Sequence, residues 1–229
     1  MSFANFDCNL NKNNYAEQLN LVTHFLDGSQ IYGSSGNRSD SIRLGSNGLL
    51  RTSPGVKKDY LPLTFDKTQG LGDQCSVTNS SLNCVVAGET RTSENLGLSS
   101  MHTLFMREHN RIATILTSIN PSWDDNRLFQ ETRKILIGMY QHIIYNEWLP
   151  ATMGVPTTPD LVPTPLDTYF TGYDPTVNPS LANEFATATL RFGHSAVNRL
   201  NRRFDLNNND LASPLLLGDT IFTVDEAYK

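Results

Sequence analysis

Arg91 and Glu94 stand three positions apart in the string Gly88-Glu89-Thr90-Arg91-Thr92-Ser93-Glu94. One helical turn would place them on the same side. A permanent cation beside a carboxylate suits a polar pair aimed into a pocket, where the arginine stabilises developing negative charge. The plain alternative is a surface ion pair, with Glu94 favoured near a helix start by the macrodipole. His194 ends the string Leu190-Arg191-Phe192-Gly193-His194. Neutral imidazole is a common axial metal ligand, and a glycine before it lets a flat group approach the backbone. A lone histidine is more often a surface or satisfied core residue. The string Thr23-His24-Phe25-Leu26-Asp27-Gly28-Ser29 supplies hydroxyls, a carboxylate and turn carbonyls, hard oxygens suited to Ca²⁺, without EF-hand spacing. His102 and His109 lack the four-residue spacing of a zinc pair, so Glu108-His109-Asn110-Arg111 reads as helix packing and polar anchoring.

These residues need elements to hold them. The pattern of Met101, Leu104, Phe105, Ile112, Ile115, Leu116 and Ile119 predicts a helix over about 98–119, stopped by Asn120-Pro121. A second helix is predicted over 125–149 from Leu128, Ile135, Leu136, Met139, Tyr140, Ile143, Ile144 and Trp148, ended by Pro150. The two should form an antiparallel hairpin. Residues 9–32 predict a short helix running into a tight turn at Asp27-Gly28-Ser29. Residues 33–96 read as long loops with one brief helix near Ser39–Leu44. Seven of the eleven prolines fall in 150–179, which makes that stretch irregular. Asn178-Pro179 reads as the cap of a third helix carrying Leu181, Phe185, Ala188 and Thr189 toward His194. Thr220–Val224 reads as a strand or an extended arm.

The chain has 229 residues, 38% of them hydrophobic, enough for a real core. Its net charge of −5 is interspersed, so no basic stripe points to nucleic acid or a membrane surface. No apolar run is long enough to span a bilayer, and no signal peptide is visible at Met1. Cys75 and Cys84 flank a short polar loop of the kind a disulfide closes, leaving Cys8 over. Asn37-Arg38-Ser39 and Asn79-Ser80-Ser81 are glycosylation sequons. Together with the cysteine pair they predict an extracellular, secreted protein.

Gly88–Glu94 and the helix after it resemble the animal haem peroxidases, the myeloperoxidase, peroxidasin and peroxinectin superfamily. Glu89-Thr90-Arg91-Thr92-Ser93-Glu94 matches that family's Asp-Thr-Arg-Ser-Ser/Thr-Glu, with Glu89 for the usual Asp. Arg191-Phe192-Gly193-His194-Ser195 matches its Arg-aromatic-Gly-His-Thr/Ser. The resemblance implies that Arg91 activates peroxide, that Glu94 esterifies the haem, and that His194 is the proximal iron ligand. Arg191 would face a propionate. Asn95 stands where myeloperoxidase has the methionine of a sulfonium link, so that link should be absent. Ile31-Tyr32-Gly33-Ser34 follows the turn as it follows the family's calcium loop, which points to Thr23, the Phe25 carbonyl, Asp27 and Ser29 as Ca²⁺ ligands.

The implied fold is mainly α, with long loops and little β. Residues 1–229 would form the central helical portion of a peroxidase domain that is longer at both ends. The implied cofactors are haem b and Ca²⁺. The implied partners are hydrogen peroxide and a small electron donor (halide, phenol or tyrosine-like), with an extracellular-matrix or cell-surface partner as a further option. The family's distal histidine and the Asn that bonds the proximal histidine have no counterpart here. The expectation is that this chain alone binds haem poorly and turns over slowly. Two other readings stay open: a non-catalytic adhesion module with a peroxidase fold, and a helical Ca²⁺-binding protein without haem.

Overall fold

The computed structural model describes residues 20–54, 59–64, 84–154, 170–205, 207–211 and 213–222. The chain divides into two units. The larger comprises Leu26–Thr171 and Asn198–Lys229, the smaller Met1–Phe25 and Gly172–Val197.

Two long helices dominate the larger unit, α3 (Leu96–Ile119) and α4 (Asp125–Ile143), preceded by short helices α1 (Ser29–Tyr32) and α2 (Gly36–Ile42). Asn95 caps α3 by accepting the Leu98 amide at 3.0 Å, and Asp124 caps α4 by accepting that of Arg127 at 2.7 Å. Ring contacts between Phe105 and Tyr140 and between His109 and Phe129 run in opposite chain directions, as in the expected antiparallel hairpin. Little strand is present among the described residues. β1 (Leu63–Thr64) pairs antiparallel with β2 (Cys84–Val85), and β3 (Leu200–Asn201) with β4 (Leu215–Leu216). The expected mainly α class holds.

The buried face of α3 differs from the expected one. Ser99, His102, Thr103, Met106, His109, Ile112 and Ala113 are buried, whereas Met101, Leu104, Ile115 and Ile119 are exposed. The polar residues can face inward because each has a partner. Thr103 donates to the Ser99 carbonyl at 2.7 Å and Ser99 to that of Leu96 at 3.2 Å. Likewise α4 buries Leu128, Phe129, Thr132 and Leu136 and exposes Ile135 and Met139. Hydrophobicity alone could not choose between the two faces.

Pro150 does not end the second helix. A π-turn spans Ile144–Trp148 and α5 (Leu149–Met153) carries on to Gly154, at φ 83°. Proline has no N–H for the carbonyl four residues back and its ring crowds that carbonyl, and the wider turn just before it makes room. Residues 21–26 are not helical and α1 follows the Asp27-Gly28 turn, whereas residues 9–19 of the expected short helix lie outside the described residues. Gly28, at φ 68°, makes that turn.

Loop 43–50 is fastened to both long helices. Asn110 on α3 accepts the Leu50 amide at 2.8 Å and donates to its carbonyl at 3.0 Å. Asp125 accepts the Gly48 amide at 2.7 Å and pairs with Arg43 at 2.9 Å. His109, fully buried, lies between Tyr32 and Gly48. Its Nε2 is 2.8 Å from the Gly48 carbonyl, an acceptor, so Nε2 carries the proton and Nδ1 accepts from the Tyr32 hydroxyl at 2.9 Å. Burial pushes the His109 imidazole down to about 4 and raises the Tyr32 phenol above its ordinary range. The expected polar anchoring by Glu108–Arg111 is thus present, with Glu108 and Arg111 forming an outward pair at 2.7 Å.

In the smaller unit the expected third helix is broken. Asn178 accepts the Ser180 amide at 3.0 Å in a local turn rather than capping a helix, and α6 covers only Asn183–Thr187. A 3₁₀ helix then runs through Thr189–Ala196. Thr220 ends another 3₁₀ turn in the larger unit, so no strand begins there, and 223–224 lie outside the described residues.

Candidate functional site

The turn carrying Arg91 forms because the chain before it is pressed against α1. A Cβ on Gly88 would meet the Ile31 carbonyl carbon and the Gly33 nitrogen at 2.5 Å, so only glycine fits. Beyond it, the Glu89 carbonyl accepts from buried Arg38 of α2 at 2.7 Å and from the Thr92 hydroxyl at 2.9 Å. The Ser93 hydroxyl bonds the Val85 amide at 3.1 Å, tying the turn to β2. Thr92 and Ser93 are buried, whereas Arg91 just before them faces outward.

Arg91 does not pair with Glu94. Its Nε and Nη2 donate to Oε2 of Glu89 at 2.9 and 2.6 Å. The other oxygen of Glu89 accepts from Nε2 of buried His102 at 3.0 Å. Burial alone would raise the Glu89 carboxyl, but the His102 hydrogen bond and the charge and hydrogen bonds of Arg91 hold it below the usual carboxylate range. Residues 88–94 form a turn rather than a helical start, with the Glu94 amide bonded to the Arg91 carbonyl at 2.9 Å, and this is why the three-residue spacing does not join the two side chains. Glu94 is half-buried, and its carbonyl accepts the Phe222 amide at 2.9 Å. Sequence reasoning passed over Glu89 and His102. The available signal was a Glu two residues before an Arg, with a histidine on the polar side of the next helix.

Ile31, Ile42, Leu50, Leu61, Ala87, His102 and Met106 line a narrow crevice in the same unit. It is mostly apolar, and His102 and Arg51 are its polar lining residues.

His194 and Arg191 lie on the 3₁₀ helix of the smaller unit, both exposed. Neither side chain has a bonding partner among the described residues. A Cβ on Gly193 would meet nothing within 4 Å, so the backbone before His194 is open to a flat group. In the same unit Thr23 accepts the Phe25 amide at 3.1 Å; in the larger one Asp27 accepts that of Ser29 at 2.9 Å. Among the described residues no three His, Cys, Asp or Glu side chains gather as a metal would need. Asn37 is exposed on α2 and Cys84 is buried on β2, whereas Cys8, Cys75 and Asn79 lie outside the described residues. No helix among the described residues is long and apolar enough to cross a membrane.

Comparison with known proteins bears on the family of the chain. The family model described as animal haem peroxidase matches residues 1–229. A Caenorhabditis elegans protein named Peroxidasin homolog pxn-2 is 45% identical over 195 residues, covering 83% of this chain and 14% of that protein. The Chorion peroxidase of Aedes aegypti is 42% identical over 184 residues, covering 80% and 22%. The structure of Peroxidase A from Dictyostelium discoideum superposes with a TM-score of 0.74 at 33% identity, covering 88% of this chain and 37% of that one. The chain therefore spans well under half the length of these relatives.

Proposed function

Because this chain belongs to the animal haem peroxidase family, we propose that it carries the iron ligand and the peroxide-facing arginine of a haem-dependent peroxidase. His194 ligates the iron, Arg191 pairs with a propionate, and Arg91 acts on hydrogen peroxide. Glu94 would form an ester to a haem methyl in place of one of its C–H bonds, with hydrogen peroxide as the two-electron oxidant. Haem b, when bound, supplies the oxidation of a small donor (halide, phenol or tyrosine-like) by peroxide. The residues present fit such a group: His194 offers an exposed imidazole without a competing partner, Gly193 leaves a flat approach, and Arg191 is an exposed cation. The unpartnered imidazole beside an open glycine carries this reading.

The protein's own part in the reaction is electrostatic. Arg91 presents a permanent cation whose N–H groups can hold the oxygen on which negative charge develops. Proximal tuning by a hydrogen bond to His194 has no candidate among the described residues.

We further propose Ca²⁺ binding by Thr23, the Phe25 carbonyl, Asp27 and Ser29, whose oxygens suit a hard cation. Extracellular placement is proposed from exposed Asn37 in its sequon and from Cys84, which stands as a bonded cysteine, with Cys75 as its partner.

Haem titration tests the central claim. The unaltered protein is expected to take up haem weakly, giving the Soret band of a histidine-ligated iron only with haem in excess, and His194→Ala to lose that ligation. Identical iron spectra from both would remove His194 as the ligand.

A further inference from the structure

We propose that Glu89 is a positioning residue for Arg91, held in its own place by His102. This rests on the reading of Arg91 given above and adds a residue to it. The Arg91 side chain is 53% exposed, and a long arginine left to itself samples many rotamers. Glu89 removes that freedom by taking Nε–H and one Nη2–H. A guanidinium has five N–H donors, so three remain, including both on Nη1, which bonds nothing among the described residues. The bound edge thus fixes the direction of the free edge.

Glu89 can do this because it is itself held on every side. Its side chain is 17% exposed. Its second oxygen bonds His102, 5% exposed and rigid on α3, and its carbonyl bonds Arg38 and Thr92. A carboxylate only accepts, so His102 Nε2 must carry the proton that it donates. The buried histidine, the carboxylate and the guanidinium form one line that ends at the solvent-facing donors of Arg91. An arrangement serving stability alone would have no need to finish on an exposed cation, because exposed pairs contribute little.

The experiment uses the haem-loaded protein and two readouts, the bimolecular rate constant with hydrogen peroxide and the affinity of the ferric protein for fluoride. Arg91→Ala establishes the reference loss. Glu89→Gln keeps the size and removes the charge, and should lower both readouts roughly tenfold or more, because small misplacement of a positioned group is expensive. Haem content and melting temperature should stay near the parent's. Glu89→Asp should restore both to within a few-fold. In the Arg91→Ala background Glu89→Gln should change nothing further, the signature of a residue acting through another. Should Glu89→Gln fold poorly, His102→Phe keeps a ring in place, removes the donor, and should shift both readouts in the same direction by less. Glu89→Gln and His102→Phe behaving as the parent, in a protein where Arg91→Ala loses both readouts, would overturn the positioning role. An Arg91→Ala protein that behaves as the parent would instead overturn the reading of Arg91, and the role of Glu89 with it.

Discussion

Two segments bear the proposed chemistry, and they are built in different ways. The turn 88–94 is locked by its own unit: Gly88 lies against α1, Arg38 holds the Glu89 carbonyl, Ser93 bonds β2, and His102 holds the Glu89 carboxylate. The 3₁₀ segment 189–196 is exposed throughout. Its hydrogen bonds are local, such as Arg191 to the Ala188 carbonyl at 2.9 Å and Ser195 to that of Phe192 at 2.8 Å. One segment has its geometry set before any ligand arrives. The other carries an exposed imidazole whose geometry a bound ligand would complete. An electrostatic group must be preorganised to act, whereas a ligand to iron gains its order from the bond it makes.

The largest expected effect breaks the comparison at its weaker side. Haem in excess over a weak site should raise the melting temperature of the protein, and in His194→Ala that rise should vanish, since a ligand stabilises only the state that binds it. Melting scans with and without haem decide the matter. An undiminished rise would place the iron bond elsewhere and leave 189–196 without its organising ligand.

Next in size is a pH effect confined to the locked side. His109 has an ordinary value of about 6.5 unfolded and is pushed down to about 4 in the fold. The unfolded chain therefore binds more protons between these values, and stability should be full above pH 6.5 and fall as pH drops toward 4. The loss attributable to this one histidine approaches about 3 kcal/mol. Arg43 faces it and Tyr32 bonds it, so protonation also sets a second cation near Arg43 and removes the acceptor of the Tyr32 hydroxyl. Denaturant unfolding of parent and His109→Gln across this range should show a shallower pH slope in the variant. Parallel slopes would mean that the His109 site does not drive the acid sensitivity.

Two glycines sharpen the contrast. Gly88→Ala puts a methyl 2.5 Å from backbone atoms of Ile31 and Gly33, neither of which can move aside. It should cost about 2–3 kcal/mol, the upper range for overpacking. Gly193→Ala meets nothing within 4 Å and should leave unfolding near the parent's while weakening haem uptake, since the methyl stands where the flat approach was open. Equal effects on stability would erase the distinction between the two segments.

How much of this could be read in the sequence follows the same division. The helices α3 and α4 were legible because their apolar residues recur at helical spacing and Asn120-Pro121 separates them. Their buried faces were not, because a helix with apolar residues all round gives no single stripe, and the inward face of α3 is held by Ser99, Thr103, His102 and His109. Pro150 was misread because one π-turn absorbs what a regular helix cannot. The motif at His194 was legible as a string of residues, and the 3₁₀ geometry beneath it was not. The Arg91–Glu94 spacing suggested a pair that needs a helical turn. The chain forms a different turn, and the pair that results is Arg91 with Glu89.

The smallest effect lies at the junction of the locked turn with α3. Asn95 accepts the Leu98 amide at 3.0 Å and so satisfies one of the helix's open donors. Asn95→Ala should cost about 1 kcal/mol and Asn95→Asp almost nothing, because both native-like side chains cap. The turn itself should survive the loss, since its hold on α1, α2 and β2 lies upstream at Gly88, Glu89 and Ser93. Urea unfolding should therefore show a lower midpoint with an unchanged slope. A loss well above about 2 kcal/mol would exceed what a cap supplies. The order of 88–94 would then flow backward from the helix start rather than forward from the packing at Gly88, and the preorganised side of the comparison would rest on α3.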